Sequence, residues 1–287
     1  MRIRTIALLL TVAALWGCGE NEETDENGSG TLGPPQDVRA LSLNAGAVRL
    51  DWTAAHGASD STFRGYVITW GTSSDTVSKS VLTYTADSLQ PGETLFTLFS
   101  VKTDGTPSTP ATIRWAPAAR FDTPFTIVEY TNATPSAIAG FDVGTSNLPP
   151  STLPIDQAAQ ATMDLYLFGG NGSTGLVLRS ANLFSGTWNQ TKFSTVTGKG
   201  PSLDVPLTAF PAIGTFTLDE VTVVDSAIFY VRVIGNNASA LHFARIHVHV
   251  RAGSTPRAVD LRVSLQRLTG LMYADASPSR RRTIGSL

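Results

Sequence analysis

Two histidines and two arginines alternate along one short stretch, "HFARIHVHVR" at 242–251. On a β-strand, side chains at i and i+2 share a face. Phe243, Arg245, His247, His249 and Arg251 then point one way, and His242, Ala244, Ile246, Val248 and Val250 point the other. His247 and His249 would lie about 7 Å apart, twice the strand rise. Two imidazoles at that spacing can share one metal ion, or one of them can ligate a haem iron. Two His do not complete a zinc site, and Arg245 and Arg251 disfavour a bound cation, so no metal is assigned. The same arginines suit propionates through charge-assisted hydrogen bonds. A solvated strand face of Arg and His is the simpler account of the pattern. His242 falls on the aliphatic face near a turn, where it is expected to be half-buried.

The only cysteine, Cys18, sits elsewhere, in "LLLTVAALWGCGENEETDENGSG" at 8–30. Arg2 and Arg4 precede an uncharged, mostly apolar run from Ile6 to Trp16. That run is shorter than the roughly 20 residues a bilayer span needs. A basic start, a short apolar stretch and small residues before a cut describe a secretory signal peptide, here 1–17. Leu15-Trp16-Gly17-Cys18 resembles the lipobox of bacterial lipoproteins, with Trp16 in place of the usual small residue. The resemblance implies cleavage before Cys18, lipidation of its thiol and acylation of the new amine. It therefore implies attachment to a membrane through the N-terminal lipid. Gly19, not Asp, follows the cysteine, and by the sorting rule of enteric bacteria this points to the outer membrane. After Cys18, Glu20, Glu22, Glu23, Asp25 and Glu26 repel one another and Gly28, Ser29, Gly30 and Gly33 offer no core. Residues 18–33 thus read as a disordered acidic tether.

Catalytic constellations are lacking in the sequence. There is no Gly-x-Ser-x-Gly elbow, and the single thiol is taken by the anchor. Asp142, Asp164, Asp204 and Asp219 are scattered; any two can meet in space as a glycosidase needs, but spacing does not show it. The loop "GGNGSTG" at 169–175 lacks the Gly-Lys-Ser/Thr ending of a P-loop and no helical pattern follows it. The chain is read as a non-enzyme with no catalytic residues.

These groups need a scaffold, and composition says which kind. With 25 Gly, 16 Pro and apolar residues in short alternating runs, the 287 residues read as all-β after the leader. The formal charge of −2 becomes −4 without Arg2 and Arg4, and the tether carries five acidic groups, so the folded part is nearly neutral. That leaves no basic field for nucleic acid. Arg280, Arg281 and Arg282 fall in a basic tail, 276–287, expected to be disordered.

Between 34 and 117, "AVRLDW" places Val48, Leu50 and Trp52 on one face, and "FRGYVITW" does the same for Tyr66, Ile68 and Trp70. Trp52, the Gly65-Tyr66 pair and the Leu89-Gln90-Pro91-Gly92 turn together resemble a fibronectin type III domain. That resemblance implies a β-sandwich serving as a spacer or a protein-binding module. Leu95 stands where the family has the tyrosine of its corner motif, so this corner is expected to lack that hydrogen bond.

Residues 118–275 read as a second β-rich domain, with "AIFYVRVI-GNNASA-LHFARIHVHV" its clearest hairpin. The succession "MDLYLF", "GGNGSTG", "FSTVT", "FYVRV", "HFARIHV", "VSLQ" resembles the HmuY-like lipoproteins of Bacteroidetes, with Met163 for their Trp and Arg245 for their Lys. The resemblance implies haem or another tetrapyrrole as ligand, with no ligand residue transferable. A glycan or surface-protein partner is the alternative, with aromatics such as Trp188 as a stacking platform; a purely structural surface protein is a third reading.

Overall fold

Val48, Leu50 and Trp52 are buried while Arg49 and Asp51 between them are half-exposed. That period of two is a strand with one face in a core. The computed structural model describes residues 31–131, 137–145, 147–169, 175–207, 211–234 and 241–271. The expected signal peptide and lipobox with Cys18, most of the expected acidic tether and the expected basic tail lie outside the described residues, as do most of the glycine loop and residues 235–240. The chain is all-β, as expected.

The first sandwich is made of β1 (Gln36–Asn44), β2 (Ala47–Thr53), β3 (Phe63–Trp70), β4 (Ser73–Ser78), β5 (Thr83–Ala86), β6 (Thr94–Lys102) and β7 (Ala111–Trp115). One sheet runs β1-β2-β5 and the other β4-β3-β6-β7, all antiparallel. Trp52 and Tyr66 meet edge to face at 5.4 Å across the core. Gly65 is required where β3 passes β4, because a Cβ there would sit 2.1 Å from the Val77 carbonyl oxygen. Leu95 occupies the corner position and is exposed. The expected tether ends earlier than 33: Leu32 is buried in this core and the Gly33 N–H donates to the His56 carbonyl at 3.0 Å.

The second sandwich contains β8 (Ala119–Val128), β9 (Gly140–Asp142), β10 (Ser151–Leu153), β11 (Leu165–Phe168), β12 (Val177–Ser180), β13 (Gln190–Phe193), β14 (Gly198–Lys199), β15 (Glu220–Thr222), β16 (Ala227–Ile234), β17 (Leu241–Arg251) and β18 (Ala258–Leu265). A sheet ordered β10-β9-β11-β12-β15 packs on one ordered β13-β16-β17-β18-β8, and β14 also pairs with β16. The expected β16–β17 hairpin is present, with Tyr230 opposite Arg245 and Ile228 opposite His247. Phe141, Leu165, Leu167, Leu178, Phe229, Val231, Ile246, Val248 and Leu261 fill the space between the sheets. Arg257 clamps one end: its Nε donates to Glu129 Oε2 at 3.0 Å and its Nη2 to the same oxygen at 2.7 Å and to the Gly169 carbonyl.

The two sandwiches share a core. Phe216, Tyr230 and Phe243 of the second pack with Trp115, Ala118 and the apolar set of the first in one buried cluster. Ser42 of β1 ties the joint: its Oγ accepts from Trp115 Nε1 at 2.9 Å and from the Ala118 N–H at 3.0 Å. The module expected to act as a spacer is therefore docked on its neighbour and not strung before it.

Candidate functional site

The face carrying Arg245, His247, His249 and Arg251 departs from the solvated strand face that the sequence allowed. Its inner half is sealed. Phe243 joins the shared core, Arg245 is 4% exposed and His247 is 1% exposed. Only His249 and Arg251 emerge, with about half of each side chain exposed. Alternation places the residues on one face as expected; the cover comes from 198–207, a segment with no periodic signature of its own. The Leu203 side chain is buried against it. Arg245 Nη1 donates to the Leu203 carbonyl at 3.1 Å and Nη2 to the Val205 carbonyl at 2.7 Å. His247 Nε2 lies 2.8 Å from the Gly200 carbonyl oxygen. A carbonyl only accepts, so Nε2 carries the proton.

His249 is held by Asp225, with Nδ1 2.9 Å from Oδ1, and the same oxygen accepts the Val250 N–H at 2.8 Å. These contacts hold the Asp225 carboxyl below its ordinary value, the Val250 N–H contributing most. Arg251 approaches Asp260 at 3.9 Å. No cluster of three His, Cys, Asp or Glu suited to a metal ion occurs among the described residues. His242 is more buried than expected, at 5% exposed, and burial lowers its proton affinity.

An aromatic face lies on the opposite sheet, on its side away from the inter-sheet core. Tyr166 and Phe168 alternate with core-facing Leu165 and Leu167, so their rings lie on the far side of the sheet, Tyr166 buried and Phe168 half-buried in a second apolar cluster. Phe184, 39% exposed, meets Tyr130 at 5.3 Å, Tyr166 at 5.9 Å and Trp188 at 5.1 Å. Arg179 spans this face, with Cζ 3.9 Å from the Phe168 ring centroid and Nε 2.7 Å from Glu220 Oε2. Trp188, expected to be an exposed platform, is itself buried; Phe184 covers it and takes the exposed position. The signal for this face was "LYLF", apolar in both phases, which marks a strand covered on both sides.

Two of the scattered carboxylates do meet. Asp164 is buried and hydrogen-bonded to the Asp142 side chain. Its Oδ2 accepts the Val143 N–H at 2.8 Å and its Oδ1 accepts from Asn189 at 3.0 Å. Burial, and then the charge of Asp142, raise the Asp164 carboxyl to about 8. Asp204 and Asp219 instead serve ion pairs, with Arg120 at 2.8 Å and Lys192 at 2.6 Å.

Comparison with known proteins reaches the first sandwich. Residues 33–114 match the Fibronectin type III domain family. Among solved structures, the FN1–FN3 domains of chicken CNTN1 match at 12% identity with a TM-score of 0.24, over 77% of this chain and all of that one. The structure of titin kinase and its flanking domains matches at 11% identity and a TM-score of 0.21, over 83% of this chain and 38% of that one. Scores this low carry no argument about arrangement. No curated protein matches the chain.

Proposed function

We propose that this protein is a lipid-anchored module of the bacterial cell envelope, held at the outer membrane, that works by binding and not by catalysis. The lipobox-like Leu15-Trp16-Gly17-Cys18 carries the anchor, and the joint between the sandwiches, where Trp115, Phe216, Tyr230 and Phe243 share one core, supports a module that presents its outer sandwich. A shared core fixes the angle at which the outer sandwich is presented. The acidic stretch after Cys18 supplies reach, and the lipid supplies attachment. Each buried acyl CH₂ contributes about 0.8 kcal/mol, so two or more chains hold a protein stably. Cys18→Ser should abolish palmitate labelling and move the protein from the membrane fraction to the soluble one. Persistence of label or of sedimentation with membranes would overturn the anchor.

A second reading concerns the ligand, and the exposed Phe184 with its aromatic neighbours and the Arg179–Glu220 pair favours it. Flat apolar rings beside paired polar groups suit a sugar ring, so a glycan is the ligand this face fits. The HmuY-like resemblance implies haem instead, yet Arg245 and His247 are engaged with 198–207, which leaves His249 and Arg251 for such a ligand. Soluble chitin, laminarin and peptidoglycan fragments are the probes. Phe184→Ala should weaken binding roughly threefold to tenfold, the loss of one aromatic contact. A saturable haemin Soret band lost in His249→Ala, with none of these glycans bound, would replace this reading by the tetrapyrrole one.

A further inference from the structure

The segment 198–207 is anchored at both ends and in the middle. Gly198 and Lys199 pair with Ile228 and Ala227, and the Gly200 N–H donates to the Ser226 carbonyl at 3.0 Å. Gly200, Leu203 and Val205 offer their carbonyls to His247 and Arg245. At the far end Leu207 exchanges two backbone hydrogen bonds with Ala40 of the first sandwich, at 2.7 and 3.0 Å. Asp204 reinforces that end by pairing with Arg120 at 2.8 Å. One strap thus closes over the Arg245–His247 face and stitches the two sandwiches together.

We propose that this strap is an acid-released latch: it is closed on the neutral ring of His247 and opens when that ring takes a second proton. In the neutral ring Nε2–H donates to the Gly200 carbonyl, and Nδ1 is left as an acceptor. Arg262 Nη1 faces that Nδ1 at 3.5 Å, and Arg262 is fixed there by its own Nε donating to the Asp122 carbonyl at 3.1 Å. A second proton would set an N–H against a guanidinium, donor against donor and cation against cation. It would do so in a site that is 1% exposed, where an extra charge is costly.

Other charges surround the ring. On β17 itself stand Arg245 and His249. On β18 stand Arg262 and, opposite His249, Asp260. On β16 the facing residue is Ile228, which carries no charge. Asp225 precedes β16 and is already engaged by His249 and the Val250 N–H. Lys199 and Asp204 belong to the strap, and Arg120 holds Asp204. Burial opposes the second proton most strongly, Arg262 and His249 oppose it too, and the Gly200 carbonyl and Asp225 favour it. The balance lowers the ring's proton affinity below that of an ordinary histidine. The released ring, in water, has the ordinary value of about 6.5. Opening therefore takes up a proton, and acid drives it by up to about tenfold per pH unit below that value.

The test is amide hydrogen exchange of the full chain, corrected for intrinsic rates. The Gly200 and Leu207 amides report the near and the far end of the strap, and the Val231 amide in the core is the control. From about pH 6.5 to about pH 5.5 the opening constant at Gly200 should rise by up to about fivefold, with Leu207 following and Val231 unchanged. His247→Gln keeps a donor for the Gly200 carbonyl, cannot be protonated and keeps His249 in place, so its profile should be flat. Equal profiles in the wild type and His247→Gln would overturn the latch, as would strap amides that ignore acid. Should His247→Gln not fold, Arg262→Gln removes the opposing cation and should move opening to lower pH; an unmoved midpoint overturns the proposal.

Discussion

Phe243→Ala should destabilise both sandwiches together. Phe243 is fully buried, meets Phe216 at 5.7 Å and belongs to the cluster that contains Trp52, Tyr66 and Trp115 of the first sandwich. Truncating a buried phenylalanine costs about 3–5 kcal/mol, part transfer and part cavity. The cavity would open at the joint, beside Tyr230 and Trp115, so the loss is not confined to the strand that carries it. Calorimetry of the protein should give one cooperative transition in the wild type. In the variant that transition should fall by roughly 2–4 °C for each kcal/mol lost, without splitting. Two transitions, one of them unmoved, would mean that the fibronectin type III unit folds by itself and that the joint is only a contact. An exposed residue of the same strand, Arg251, provides the control; Arg251→Ala should leave the transition near its wild-type temperature, since exposed ion pairs contribute little.

Strand phase was legible in the sequence, and what covers a strand was not. Val48, Leu50 and Trp52, or Ala244, Ile246 and Val248, point into cores because alternation fixes the side of the sheet. The same rule put Phe243, Arg245, His247 and His249 on a common face, and they share it. Whether water or protein lies over that face depends on contacts far apart in sequence: Gly200 with His247, Leu203 and Val205 with Arg245, Leu207 with Ala40. Residues 198–207 reach those partners through backbone carbonyls, which every residue has, so their types carried no signal. Trp188 was misjudged for a related reason. Its neighbour Phe184 lies four residues before it on a short turn, and the exposure of the pair is set by which ring stacks on top. The Asp142–Asp164 contact joins β9 to the start of β11 across strands adjacent in the sheet, a pairing that register decides and spacing does not.

That carboxylate pair yields the other large effect, on pH. Asp164 is protonated more readily in the folded chain than in the unfolded one, because burial and then the nearby Asp142 disfavour its charge. A raised acid contributes its stability in full below the unfolded value of about 3.9, and loses it as pH rises through the folded value. Folding stability should therefore decline from mildly acidic to mildly alkaline pH, by on the order of 1.4 kcal/mol for each unit by which the pair is displaced. Two acidic side chains elsewhere push the other way: Glu129, held by Arg257, and Asp204, held chiefly by Ser202 and also by Arg120, both lie below their ordinary values and contribute stability that acid removes. Asp142→Asn separates the two trends. Its Oδ1 still accepts the Gly144 N–H, which Asp142 takes at 2.7 Å, while its amide can donate to Asp164 where a carboxylate could not. Asp164 would then be free to ionise with a donor beside it, and the alkaline decline should flatten. Urea denaturation at a series of pH values from about 4 to about 9 measures it, spanning the ordinary carboxylate value and the raised one. An unchanged slope in Asp142→Asn would mean that burial alone displaces Asp164 and that the charge of Asp142 adds nothing. Asp164→Ala should be the harsher change, since it strips the buried Val143 N–H of its acceptor, at about 1–3 kcal/mol for the group left unpaired, and takes from Asn189 one of its acceptors.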